Sequence, residues 1–390
     1  MSLLQYLSPI NPDHLGYDLV DLPVTLSSQI DAHIDHLPEI PQHGLVLVGV
    51  GEDRGAEQNA GCAAAPDEIR RYLYRLALPC PDVTITDIGN IILGQTAEDT
   101  YYALAEVVAQ VLQNNNTLII LGGSQDLTFA AYKGYERLNR IINITSIDSR
   151  FDLMDDDQIS SHTWLRNIVM QNPNYLFFHS NIGYQTYFVG QDYVKLMDDM
   201  KFDAYRLGNI QPDMQRAEAL IRNSNLLTVD IGAVRQSDAP ANGNPSPHGF
   251  YGEELCQMMR FAGRSDNTTC LGIFEVNPLY DNHGQTAHLV AHALWYFIEG
   301  YFDRQRDNPL LTPECCKHYH VVSQNNDETL DFYKSKLSDR WWVRVPCNNP
   351  ELNELYSNQL MLPCTYADYK KAMQGEIPSL YLKYYTRLNQ

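Results

Sequence analysis

Basic residues are scarce in this chain: 28 lysines and arginines stand against 48 aspartates and glutamates, a formal charge of −20 over 390 residues. A surface so negative repels phosphate backbones and anionic headgroups, and no basic tract compensates, which argues against nucleic acid or a membrane as partner. Solubility alone accounts for the acidity. Long apolar runs are missing as well. The opening stretch MSLLQYLSPINPD has neither a basic flank nor an extended apolar segment, so no secretory signal or membrane span is expected and the cytoplasm is the expected location. The eight cysteines show no CxxC spacing and read as reduced thiols, not as a disulfide framework. Internal repeats and low-complexity segments are absent. The loop GVGEDRG, residues 49–55, fails the GxGxxG spacing, which removes the nucleotide-binding reading.

What is present is a regular alternation. Apolar runs at 45–50, 83–88, 117–121, 141–147, 175–179, 226–230 and 270–274 read as strands, separated by helical stretches. Helices are expected from Pro66 to Arg75, with proline in the first turn, and from Thr96 to Leu112, with Thr96 as N-cap. Two more are expected from Gly252 to Phe261 and from Thr286 to Gly300. Such alternation implies an α/β fold of three layers, αβα, around a mostly parallel sheet. An apolar content of 44% is enough to fill both sides of it.

Flanking this region, residues 1–43 carry Pro9, Pro12, Pro23, Pro38 and Pro41 without a sustained helical period, and read as an arm lying over the main domain of residues 44–302. Residues 303–390 open on a polar, proline-marked boundary and form a small α+β extension. A strand is expected over His318–Ser323 and a helix over Asp327–Leu337, followed by Trp341, Trp342 and a tyrosine-rich ending. So aromatic a segment is expected to pack on the main domain or on a neighbouring subunit.

Two of the apolar runs end abruptly in polar residues. Residues 116–121, NTLIIL, are followed by Gly122, Gly123, Ser124 and Gln125; residues 141–147, IINITSI, by Asp148, Ser149, Arg150, Phe151 and Asp152. Carboxyl ends of parallel strands are where open α/β sheets bind ligands. These residues resemble the arginase, agmatinase and formimidoylglutamase family, whose members carry Gly-Gly-Asp-His and Asp-Ala-His-x-Asp at the same places. The resemblance extends to LLTVDIGAVRQSDAP, with Asp230, Gly232, Ala239 and Pro240, similar to the family's Asp-x-Asp-x-x-Asp-Pro. It extends also to Glu275 in IFEVNP and, upstream, to Asp53, Gly55, Asn59, Gly61, Pro66 and Arg70. About residues 45–300 are covered.

The resemblance implies a binuclear Mn²⁺ site, two carboxylates bridging both ions, and a bound water acidified into a nucleophile. Asp148 and Asp230 match the bridges, Asp152 matches a terminal ligand of the first ion, and Gln125 stands where that ion's histidine would be. The second ion's own ligands are replaced by Arg150 and Gly232. A guanidinium is permanently charged; about 4 Å from a divalent ion, at an effective dielectric of 20, it would repel it by about 8 kcal/mol. At most one Mn²⁺ is therefore expected, or none, with Arg150 bridging Asp148 and Asp230 in place of a metal. Taken singly, the three aspartates could equally be strand-end caps. Glu275 matches a substrate-orienting glutamate, and His162 matches a substrate-contacting histidine or is a plain surface residue. His288 with His292, and His318 with His320, are spaced for zinc but lack further ligands, and read as packing or surface histidines.

Three functional readings follow, the last of them that residues 303–390 are the functional part and the main domain their scaffold. The first is a non-catalytic module that binds a small guanidino, amidino or amino-acid-like ligand, with a protein partner engaged through residues 303–390 and, from the family resemblance, a homo-oligomeric assembly. The second is a hydrolase that uses one Mn²⁺ at Gln125, Asp148, Asp152 and Asp230 against formimidoylglutamate, agmatine or arginine, with Glu275, His162 and Arg150 on the substrate.

Overall fold

Consecutive residues of each buried run go to opposite faces of one sheet. Leu45 and Leu47 join one apolar core while Val46 and Val48 join the other; Ile119 and Leu121 separate in the same way from Leu118 and Ile120. This two-fold alternation with both faces apolar makes a strand that must be covered on both sides. A computed structural model describes residues 3–15, 24–322 and 329–389. Its strands in the main domain are β1 (Leu7–Ser8), β2 (Ile30–Ala32), β3 (Leu45–Gly49), β4 (Ile85–Ile91), β5 (Thr117–Leu121), β6 (Ile142–Ile147), β7 (Leu176–Tyr184), β8 (Asp203–Arg206), β9 (Leu226–Asp230) and β10 (Cys270–Phe274). The hydrogen-bonded order is β1-β4-β3-β5-β10-β9-β6-β7-β8, with β2 also on β4. Every pairing is parallel except β1 with β4.

Helices Ala65–Leu73, Met214–Arg222, Gly252–Gly263 and Gln285–Phe302 cover one face; Ala97–Gln113, Leu127–Arg137 and Trp164–Val169 cover the other. The three-layer α/β reading holds. Thr96 caps its helix as the sequence indicates: its hydroxyl accepts from the Asp99 amide while the Asp99 carboxylate accepts from the Thr96 amide. The arm departs from expectation. It contributes β1 and β2, which pair one after the other along the edge of β4 that β3 leaves free, because an extended, helix-poor segment beside an open strand edge finds backbone partners there.

Four further strands, β11 (Cys316–Val322), β12 (Thr329–Ser335), β13 (Trp341–Arg344) and β14 (Met361–Cys364), form a separate antiparallel sheet. The helix expected over Asp327–Leu337 is thus a strand over 329–335, and Asp327 lies outside the described residues. Leu330 and Phe332 are buried here at two-residue spacing, and that period outweighs the helical propensity of the segment. This sheet shares an apolar core with β7, where Tyr384 packs against Phe177 and Phe178 with ring centroids 5.0 Å from each. Among the described residues no helix is long and apolar enough to cross a membrane.

His179 of β7 is buried between Trp164 and Phe202, with Nε2 3.2 Å from the Ser146 hydroxyl. Burial pushes its pKa down to about 3. The unfolded chain takes up this proton near pH 6.5 and the folded chain does not, so the contribution is complete above pH 6.5 and is lost as pH falls towards 3. Urea melts are expected to show His179→Phe losing about 3 kcal/mol less than the parent between pH 7 and pH 4.

Candidate active site at the carboxyl ends of four adjacent strands

Strands β5, β10, β9 and β6 are neighbours, so the residues leaving their carboxyl ends meet along one edge. These are Gln125, Glu275, Asp230 and Asp148. The crossing point is tight. A Cβ on Gly123 would fall on the Glu52 carbonyl oxygen, so only glycine lets the chain leaving β5 pass beneath the glycine-rich loop.

Glu275 is the best held of the four. Its Oε1 accepts from the Gln125 amide at 2.8 Å and its Oε2 from Asn59 Nδ2 at 2.7 Å, while its own amide donates to the Gly123 carbonyl at 2.8 Å. It keeps a left-handed backbone, φ 65°, which costs a non-glycine residue on the order of 1 kcal/mol or more. Burial, then the neighbouring Asp230, raises its pKa well above the ordinary range.

Gln125 is oriented from below. Its Nε2 donates to the Thr228 hydroxyl at 2.9 Å, and Thr228 is in turn 2.8 Å from Thr128 Oγ1, so the amide oxygen is the end presented to the site. That oxygen is buried without a hydrogen-bond partner. The second oxygen of Asp148 is in the same condition; Oδ1 accepts from the Arg150 amide at 2.8 Å and Oδ2 has none. Asp230 Oδ1 accepts from the Gly232 amide at 2.6 Å. Asp152, also left-handed at φ 52°, accepts from Trp164 Nε1 at 2.6 Å.

Electrostatics make the cluster unusual. Burial pushes Asp152 up to about 7 and Asp230 up to about 6, and burial together with Asp152 and Asp230 drives Asp148 well above the carboxylate range. Of the three, Asp148 is the most strongly disfavoured as an anion, because it is buried against both of the others. A cation held among them would lower all three values.

The expected bridge by Arg150 is not formed. Its guanidinium carbon lies 4.5 Å above the Phe188 ring, and no ion pair joins it to Asp148 or Asp230 within 4 Å. Stacking on an aromatic face leaves the guanidinium in reach of water, whereas insertion among the carboxylates would strip it of hydration. Its charge still lowers the pKa of Asp152 and Asp230 from a distance. Arg150 and half-buried His162 line one small polar cavity with Asp230 and Glu275. Burial, then Arg150, lowers the His162 pKa.

The residues fit one divalent cation by their chemistry: oxygen donors only, two of them buried acceptors without partners, among carboxyl groups whose pKa values burial raises. Arg150 and Gly232 bring no donor side chain, and a Cβ on Gly232 would already stand 3.0 Å from Asp230 Oδ1. The set is looser than a closed cage, since no three of its carboxylate oxygens lie within 4.8 Å of one another.

What holds these side chains in place was not read from the sequence. Asn59, Thr228 and Trp164 act through contacts made across more than one element, which no local spacing signals. Asp126 was also missed: buried behind Gly55, it accepts from the Tyr101 hydroxyl and burial raises it to about 6.

Comparison with known proteins agrees with this geometry. Formimidoylglutamase of Lysinibacillus sphaericus is 28% identical over 269 residues, covering 65% of this chain and 83% of that protein, and formimidoylglutamase of Staphylococcus aureus is 26% identical over 272 residues, covering 66% and 86%. Among solved structures, Trypanosoma cruzi formiminoglutamase with Mn²⁺ superposes with a TM-score of 0.66 at 20% identity, over 73% of this chain and all of that one. The Bacillus subtilis formimidoylglutamase superposes at 0.67 and 17% identity, over 76% and 97%. Residues 43–299 match the arginase family, and the chain belongs to that family.

Proposed function

We propose that this chain is a hydrolase of a linear amidine C–N bond, with an N-formimidoyl amino acid of the formimidoylglutamate type as its substrate class and one Mn²⁺ at most. The observation that carries the reading is the pair of buried, unpartnered acceptors, Asp148 Oδ2 and Gln125 Oε1, set beside the buried carboxyl groups of Asp152 and Asp230, whose pKa values burial raises. The similarity to formimidoylglutamases over two thirds of the chain supports the same choice. Gln125, Asp148, Asp152 and Asp230 are the residues that would hold the ion. A divalent ion bound there would bring the pKa of its water down towards neutrality.

The remaining roles belong to side chains. Glu275, pinned by Asn59 and the Gln125 amide, lines the cavity with a carboxyl group that the positive charge of an amidinium would return to its ionised form. His162, uncharged at neutral pH because its pKa is lowered, can take a proton from water and return it to the leaving amine. Arg150, resting on Phe188 at the cavity wall, is suited to an amino acid's carboxylate. Water adds to the amidine carbon, the C–N bond to the amino acid breaks, and formamide and the free amine leave. The eight free cysteines suit the cytoplasm as the place of action.

A second reading, ligand binding without turnover, is favoured by Arg150 and Gly232 at the places of the second ion's ligands. Incubation with N-formimidoyl-L-glutamate and Mn²⁺ separates the two. Formamide release above the uncatalysed rate is the expected result. Saturable binding of that compound with no product would replace the first reading by the second.

A further inference from the structure

The antiparallel sheet of the carboxyl-terminal extension carries a second group of metal donors, chemically unlike the first. His318 and His320 lie two residues apart on β11, so their side chains project from the same face. In the antiparallel register His320 is directly opposite Asp331 of β12, and His318 is opposite Tyr333. A cross-strand neighbour and its diagonal are both within reach of a short side chain. Asp331 therefore supplies the third ligand that the two histidines lack in the linear sequence.

The contacts agree with this placement. Asp331 Oδ1 is 3.1 Å from His318 Nε2 and 2.6 Å from His320 Nδ1. The imidazole rings are 4.1 Å apart, and His318 is stacked on Tyr333 at 4.4 Å with the planes 10° apart, which fixes its orientation. Among the described residues this is the one group of three imidazole, thiol or carboxylate side chains whose ligand atoms all lie within 4.8 Å of one another. Ligand bonds of about 2.0–2.1 Å place neighbouring donors of a tetrahedral ion about 3.3 Å apart. The present spacing needs only small rotations to reach that. The pair His288 and His292, with rings 4.4 Å apart, has no such carboxylate in its group.

We propose that His318, His320 and Asp331 form a binding site for a first-row divalent ion of the zinc class, joining β11 to β12 at the surface. Two imidazoles and one carboxylate select Zn²⁺ over Mn²⁺, in contrast to the oxygen-only set at the strand ends. Three protein ligands leave one tetrahedral position to water. The site is independent of the hydrolase reading, since it shares no residue with the strand-end cluster.

Titration of the full chain with Zn²⁺ alone tests this, with Cu²⁺ electron paramagnetic resonance reporting the donor atoms. One site is expected to weaken at least about tenfold in His320→Ala and in Asp331→Asn, and to persist in Asp148→Asn. Bound Cu²⁺ is expected to show coupling to two imidazole nitrogens, lost in His318→Ala. Because the three side chains are partly exposed, the variants leave the sheet's core intact. Zinc binding unchanged in a His318→Ala/His320→Ala double variant would overturn the proposal, as would the absence of saturable binding below about 100 μM.

Discussion

Asp148→Asn is expected to lower Mn²⁺-dependent formamide release by about a thousandfold or more, because one substitution removes both a ligand charge and the acceptor aimed at the ion. The geometry makes Asp148 more sensitive than its neighbours. Its Oδ1 is already engaged by the Arg150 amide, and its Oδ2 is buried with no other partner. An asparagine keeps the first contact and either loses the second acceptor or turns an N–H towards the ion. Asp230→Asn is expected to follow in direction, since its Oδ1 is held by the Gly232 amide. Both kcat and kcat/KM should fall together if the interaction is made to the reacting water. Glu275→Gln, by contrast, should act chiefly through KM, because that carboxylate faces substrate. Steady-state rates at saturating Mn²⁺ decide the point; an Asp148→Asn variant that keeps most of its kcat would remove the ion from the chemistry.

In metal-free protein the second large effect runs the other way. Asp152 is pushed up to about 7 and Asp230 to about 6. The folded chain therefore keeps protons that the unfolded chain has released near pH 4, and these two groups lower its stability progressively as pH rises from about 4 to about 7. Asp152→Asn abolishes its own share of that loss. The left-handed backbone at residue 152 tolerates asparagine, and Trp164 Nε1 can donate to the amide oxygen, so the change brings little strain. At pH 8 it is expected to stabilise the metal-free chain by about 2–4 kcal/mol. Saturating Mn²⁺ should offset or reverse that advantage, since the parent gains about 4.1 kcal/mol at a thousandfold excess over Kd and the variant, lacking one ligand, gains less. Denaturant melts with a chelator and with Mn²⁺ measure both signs. A variant destabilised under both conditions would mean that Asp152 is held for its structural contacts alone.

Much of this was legible in the sequence, and for definite reasons. β5, β6, β9 and β10 are buried on both faces and stop at glycine, aspartate or glutamate, so both their existence and their polar ends are local signals. β8 was not legible: its four residues, DAYR, carry one short alternation with no continuous apolar run. The segment of β12 misled because its charged residues suit a helix, while Leu330 and Phe332, which decide the matter, become inward-facing only when a partner strand is beside them. Arg150 was placed correctly along the chain but not in space. Its direction depends on Phe188, nearly forty residues away, and the charges of Asp148 and Asp230 alone do not predict it. The unpartnered state of Gln125 Oε1 likewise depends on Thr228 taking the other end of the amide.

The account rests on one cation entering a nest of buried carboxylates at the ends of β5, β6, β9 and β10. Counting Mn²⁺ retained by the purified full chain, in the parent and in Asp148→Asn, tests it most directly. One ion per chain in the parent and none in the variant is the predicted result. Two ions per chain, or the same retention in both proteins, would contradict it.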